Sequence, residues 1–231
     1  MTDNNTFNGF PVECVKYFTD LEENNNKHWF EEHRKDYDDY VLNPARQFVV
    51  AMGERLINIS PKIIADPRID KSIFRIFRDT RFSKDKRPYK TNLGIYFWEG
   101  KSKKFSGSGY YFHLEPTKMF IAASIYKPDP TMLSIYRSAL IDDKKGAEFS
   151  KAVNKVFKYK KYLLGGDHYK RVPRGFDPEH KNAQYLRYNG FYAYEEMPLP
   201  KVIHSKKLLD FCFKKWEEMS PIHKWLVKIY S

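Results

Sequence analysis

Apolar residues recur three and four apart over roughly the first sixty positions, then at every second position, then three and four apart again. Pro11 opens the first helical pattern, with Cys14, Tyr17, Phe18 and Leu21 on one face, and Asn24-Asn25-Asn26 stops it. A second helix is predicted over 27–42, carrying Trp29, Phe30, His33, Tyr37, Tyr40 and Val41 on one side. Asn43-Pro44 supplies a cap and a first-turn proline for a third, with Phe48, Val49, Met52 and Leu56. After Pro67 the period falls to two. Residues 72–78, 92–98, 109–115 and 118–126 alternate or are rich in β-branched and aromatic side chains, which predicts four strands. Pro116-Thr117 is a hairpin-length link, and short links between successive strands predict an antiparallel meander. Residues 101–108 read as an exposed connection.

Helical spacing returns at Asp129-Pro130 and continues through Phe149, Val153, Val156 and Phe157, until Gly165-Gly166 breaks it. A basic, irregular stretch follows at 170–176. Asp177-Pro178 predicts a short helix ending near Arg187, residues 189–196 a late strand, Ser205 a helix, and Ser220-Pro221 a separate terminal one. Helices, then sheet, then helices make an α+β fold: an antiparallel β-meander of four to five strands packed with N-terminal and C-terminal helices. No repeat or linker divides the chain. One domain over 1–231 is expected, with a helical lobe at about 1–66, the sheet at about 70–127 and a helical and irregular remainder at 128–231.

Composition adds a core and a charge asymmetry. Apolar residues make up 42% and aromatics 17% of the 231 residues, which argues against disorder. Residues 1–70 carry a net charge of −5, against +17 for the remainder and +12 overall. Attraction for polyanions is therefore confined to the later part. Cys14 and Cys212 stand far apart with no Cys-x-x-Cys, so neither a disulfide framework nor a zinc site is indicated. Residues 1–5 lack the order of a signal peptide, and no apolar run reaches the roughly twenty residues of a membrane helix, so a cytoplasmic protein is expected.

The densest chemistry lies at 75–90. Seven cations (Arg75, Arg78, Arg81, Lys84, Lys86, Arg87, Lys90) meet two anions, Asp79 and Asp85. The first part reads as a strand with one arginine on each face, and a buried guanidinium needs an anion because it cannot deprotonate. Planar arginine forks suit carboxylate or phosphate, and lysines add mobile charge. Asp79 and Asp85 are expected to orient these bases. The competing reading is an internal clamp in which Arg75 pairs with Glu31, Glu32 or Asp36 of the acidic lobe. The glycine spacing of a phosphate-binding Walker loop is absent.

On the third predicted strand Tyr111, His113 and Glu115 share a face, with His113 the candidate general acid or base. Ala122 and Ser124 are small, which leaves room above the sheet beside Phe120 and Tyr126. The plain alternative is a sheet face satisfied by cross-strand pairs. Lys170, Arg171 and Arg174 form a second basic knot able to close over the first. No histidines or carboxylates stand at metal-ligand spacing, and nothing indicates a cofactor.

The run from Arg75 to Lys90 resembles the signature of a family of bacteria and fungi known only as domain of unknown function 2461. Three further pieces are similar to that family: Leu21 to Phe30, Gly109-Tyr110-Tyr111-Phe112-His113, and Lys170-Arg171-x-Pro173-x-Gly175-Phe176 with His180. Arg87 departs from the pattern, standing where a smaller polar residue is expected. The resemblance implies one intact α+β domain and carries no activity with it. From the residues, the expected function is binding of a small phosphate- or carboxylate-bearing ligand in a basic, aromatic-lined pocket, with enzymatic activity open. Its groups are Arg75, Arg78, Arg81, Lys84, Lys86, Tyr89, Tyr111, Lys170, Arg171 and Arg174. A structural or protein-interaction role ranks second and nucleic-acid binding third.

Overall fold

The computed structural model describes residues 6–100 and 107–230, so the expectations for residues 1–5 and 101–106 lie outside the described residues. The fold is α+β around a six-stranded antiparallel sheet in the order β1-β2-β3-β4-β6-β5. The strands are β1 Ile63–Ile64, β2 Leu93–Glu99, β3 Gly109–Leu114, β4 Lys118–Ile125, β5 Leu163–Gly165 and β6 Phe191–Pro198. The meander of β2, β3 and β4 and the late strand β6 stand where the alternation placed them. The two edge strands hold two and three residues, too few to show a period. The amide of Glu115 donates to the Lys118 carbonyl at 2.9 Å and closes the β3–β4 hairpin.

The segment at 72–78 is not a strand. It runs extended along β2 through single bridges, Phe74 N–H to Gly94 and Tyr96 N–H to Ser72, then turns away to meet residues 88–90. Ser72, Ile73 and Ile76 are its buried positions, so the two-residue alternation expected of it is broken and Arg75 points to solvent.

Helix α1 (Val12–Glu23) follows its pattern, with Cys14, Tyr17, Phe18 and Leu21 buried. The single helix expected at 27–42 is divided into α2 (Lys27–Glu32), a turn α3 (Arg34–Asp36) and a π-helical stretch at Tyr37–Leu42. That stretch runs without a cap into α4 (Asn43–Leu56), because Asn43 is itself helical and its N–H reaches the Asp38 carbonyl. The wider turn precedes Pro44, which has no N–H for the tighter helical bond. Asp129 and Asp142 cap α5 (Pro130–Ile141) and α6 (Asp143–Phe157) by accepting from Met132 and Lys145. Of the helix expected after Asp177, only α7 (Ala183–Leu186) forms.

The two terminal helices expected are one, α8 (Lys207–Tyr230), with Pro221 inside it. Proline removes the N–H that the Glu217 carbonyl would accept, and the Ser220 hydroxyl takes its place at 2.8 Å. Among the described residues no helix is long and apolar enough to cross a membrane.

The two faces of the sheet have different fates. Ile95, Phe97, Tyr110, Phe112, Ile121, Ala123 and Phe191 face the helices and are buried in the core. There Phe112 stacks on Phe10 at 5.8 Å and Phe97 meets Trp216 edge-on at 5.7 Å. The opposite face carries Tyr96, Tyr111, His113, Phe120, Ala122, Ser124, Tyr192 and Glu196, and the 72–78 segment lies across one corner of it.

Candidate ligand-binding cleft

A cleft of about 430 Å³ opens over that second face. Register places Tyr96, Tyr111, Ala122 and Tyr194 in one row across four strands, with Gly94, His113, Phe120 and Glu196 in the row beside it. Ala122 and Ser124 form a low floor between aromatic walls. Phe74 meets Tyr111 edge-on at 5.8 Å, Tyr111 meets Phe120 in the same way at 6.0 Å, and Tyr126 stands 6.0 Å from Tyr192 on the far side. Tyr192 holds its place because β5 has a glycine beneath it: a Cβ on Gly165 would fall 2.3 Å from the ring.

Three polar groups stand in line on one wall. The Tyr111 hydroxyl lies 2.8 Å from His113 Nδ1, and His113 Nε2 lies 2.8 Å from Glu115 Oε1. With a neutral imidazole, Nε2–H donates to the carboxylate and Nδ1 accepts from the phenol. Burial pushes the Tyr111 phenol well up, with smaller contributions from Tyr126 and Glu115, so it keeps its proton in the resting state. The chain can pass a proton from the cleft to the outer carboxylate. At the rim, Lys118 Nζ lies 3.0 Å from Glu196 and 3.8 Å from Glu115.

Ser124 breaks the pattern of the floor. It is 3% exposed, its φ is +112° one residue before the end of β4, and its hydroxyl has no hydrogen-bond partner among the described residues. A non-glycine residue in that backbone region stores on the order of 1–3 kcal/mol of strain, and a buried hydroxyl left unpaired adds to the cost.

The cations of the basic segment are not among the described lining residues. Of the binding residues expected from sequence, only Tyr111 and His113 line the cleft. Asp79 takes Arg81 in a two-pronged bond at 3.0 and 2.7 Å, and Asp85 takes Arg78 at 2.7 Å and Arg87 at 2.8 Å. These bonds hold the Asp79 carboxyl down at about 2 and the Asp85 carboxyl lower still. Two local carboxylates thus serve three of the seven cations. Lys86 donates to the Thr80 carbonyl and Lys90 to that of Arg75.

Arg75 and Lys84 are exposed and make no ion pair among the described residues. The premise of a buried Arg75 is therefore corrected, since the segment bends outward before reaching it. Lys170, Arg171 and Arg174 are exposed on the later loop. Tyr89 is buried against the helical lobe, its ring stacked on Phe30 at 4.2 Å.

A family model described as a conserved hypothetical protein, DUF2461, matches residues 13–225. The chain belongs to this family. No curated protein matches it significantly. In this DUF2461 protein the signature run contributes to the cleft through Phe74, just ahead of it, whose ring lies 5.5 Å below the Lys90 ammonium. Sequence reasoning missed Tyr96, Tyr192 and Glu196 as cleft residues. Alternation along β6 puts Tyr192 and Glu196 on one face, but nothing in the chain says that β6 joins β4.

A second polar cluster of the DUF2461 chain is sealed on the helix side of the sheet. His223 of α8 is fully buried, with Nε2 2.9 Å from Glu99 Oε2 and 3.0 Å from Ser60 Oγ, and Nδ1 2.8 Å from Ser108 Oγ. Burial lowers the imidazole pKa, which the Glu99 carboxylate partly offsets, while His223 in turn holds Glu99 down. No sequence signal joins these residues, 124 positions apart. Among the described residues no group of three or more His, Cys, Asp or Glu side chains could hold a metal ion.

Proposed function

We propose that this DUF2461 protein binds a small organic molecule in the cleft over β2, β3, β4 and β6, with Tyr111, His113 and Glu115 able to exchange a proton with it. The observation that carries the reading is Ser124, a buried hydroxyl with no partner among the described residues, held in strained backbone on the cleft floor. Strain and an unmet hydrogen bond at one residue are what a binding site retains and a purely structural sheet face sheds. The aromatic walls supply apolar contact, and the few polar groups supply orientation.

The test is a fragment screen by thermal shift on the wild-type chain and on Ala122→Trp, which fills the cleft from a floor position facing open space. Fragments that stabilise the wild type are expected to lose their effect in the variant. Equal stabilisation of both proteins would place binding elsewhere and end this reading.

A second reading keeps the small anion of the sequence expectation on the basic segment itself. It is favoured by Arg75 and Lys84, exposed cations close to a loop whose other arginines are already held by Asp79 and Asp85. Phosphate stabilising the wild type but not Arg75→Ala with Lys84→Ala would support it.

A further inference from the structure

The cleft has a charge opposite to that of the chain. Among the described residues two carboxylates, Glu115 and Glu196, stand in its lining and no lysine or arginine does, although the protein carries a net +12. Around them are the rings of Phe74, Tyr96, Tyr111, Phe120, Tyr126 and Tyr192. An aromatic ring presents a negative face, and a carboxylate attracts charge of the same sign as the ring face does. A ligand anion would meet both, with no cation among the described lining residues to compensate. A neutral ligand would gain from neither.

The rim already shows the preference. Lys118 reaches over from outside the lining and rests its ammonium between Glu196 at 3.0 Å and Glu115 at 3.8 Å. Its side chain is 39% exposed, so the lysine can swing to solvent and leave that place to a ligand nitrogen. At the floor the Ser124 hydroxyl, without a partner among the described residues, can bond the polar end of such a molecule.

We propose that the cleft takes an organic cation: an ammonium head on a compact body, its charge held by the ring faces and the Glu115 and Glu196 carboxylates, its polar end at Ser124. The proposal rests on the reading of the cleft as the binding site and names the ligand class that site accepts. It runs against the anionic ligand that the basic sequence suggests, because the cations of the basic segment are not among the described lining residues of the cleft.

Choline, its uncharged carbon isostere neohexanol and the tert-butylacetate anion share one branched head and differ in charge. Titration of the full chain with each, followed by NMR at the amides of Ala122, Ala123 and Ser124, separates the possibilities. Choline is expected to bind about ten-fold more tightly than neohexanol, with tert-butylacetate weakest. Glu196→Gln is expected to remove most of that advantage and leave neohexanol binding unchanged. Neohexanol or tert-butylacetate binding in the cleft as tightly as choline would overturn the cation proposal and leave the cleft reading standing. No shift of these amides with any of the three, at tens of millimolar, would overturn both.

Discussion

The side-chain amide of Asn25 bonds the backbone of Tyr89 at both ends, accepting from its N–H at 3.0 Å and donating to its carbonyl at 3.0 Å. With Phe30 stacked on the Tyr89 ring, this two-pronged bond ties the end of the first helix to the end of the basic segment, 64 positions later. The arginine-rich loop is thus closed on itself by Asp79 and Asp85 and anchored to the helical lobe by a neutral amide rather than by an ion pair.

Asn25→Ala removes two bonds to a half-buried backbone and is expected to cost about 2 kcal/mol, at roughly 1 kcal/mol each. Urea denaturation of the variant measures it. In a double-mutant cycle with Phe30→Leu the two changes should couple, because both act on Tyr89. A loss indistinguishable from that of a surface substitution would mean that the amide clamp carries no stability.

Ser124→Gly is expected to stabilise the protein by about 1–3 kcal/mol, since glycine accepts the positive φ without strain and leaves no unpaired hydroxyl. Ser124→Ala should stabilise less, because it keeps the strain and loses only the hydroxyl. Thermal unfolding separates the two. If the cleft binds as proposed, the glycine variant gains stability and loses affinity together, a trade that a structural serine would not show.

Stability is expected to fall on acidification from neutral pH through His223 and Glu99. The folded imidazole lies below its ordinary 6.5, so the unfolded chain takes up the proton first and stability is lost as pH falls below about 6.5. Glu99 lies below its ordinary 4.5, so its share is lost only below about 4.5, in the same direction. The histidine can contribute a slope of at most about 1.4 kcal/mol per pH unit. His223→Gln should be less stable at neutral pH and show a shallower fall between pH 6.5 and the acid range. Parallel curves for the two proteins would show that the buried histidine does not titrate on unfolding.

Cys14 and Cys212 are both free and buried. Burial pushes the Cys14 thiol up to about 12 and the Cys212 thiol higher. A thiol reagent at neutral pH is expected to leave both untouched in the native state and to modify both once the chain is unfolded. Rapid labelling of either in native buffer would mean that the core around α1 or α8 opens far more often than its packing suggests.

The helices that carry a cap and an apolar stripe were legible. Cys14, Tyr17, Phe18 and Leu21 on α1, and Asp129 ahead of α5, declare themselves within a few positions. The face of β3 holding Tyr111, His113 and Glu115 was legible too, because alternation is local. The π-helical turn at Tyr37–Leu42 and the passage of α8 through Pro221 were not, since each depends on a compensating bond, from Asn43 to Asp38 and from Ser220 to Glu217. Arg75 was misplaced because a period of two cannot show where an extended segment leaves the sheet.

By itself the sequence determined the α+β order of elements, the central meander and the polar side of β3, all of them consequences of residue spacing along the chain. Only the tertiary structure decided that β6 adds its tyrosines to β4, that Asn25 rather than a carboxylate meets the basic segment, and that the described lining of the cleft holds rings and acids and none of the cations of that segment. Net charge is a sum over the whole chain, whereas the charge a ligand meets depends on which few side chains the fold brings to one place.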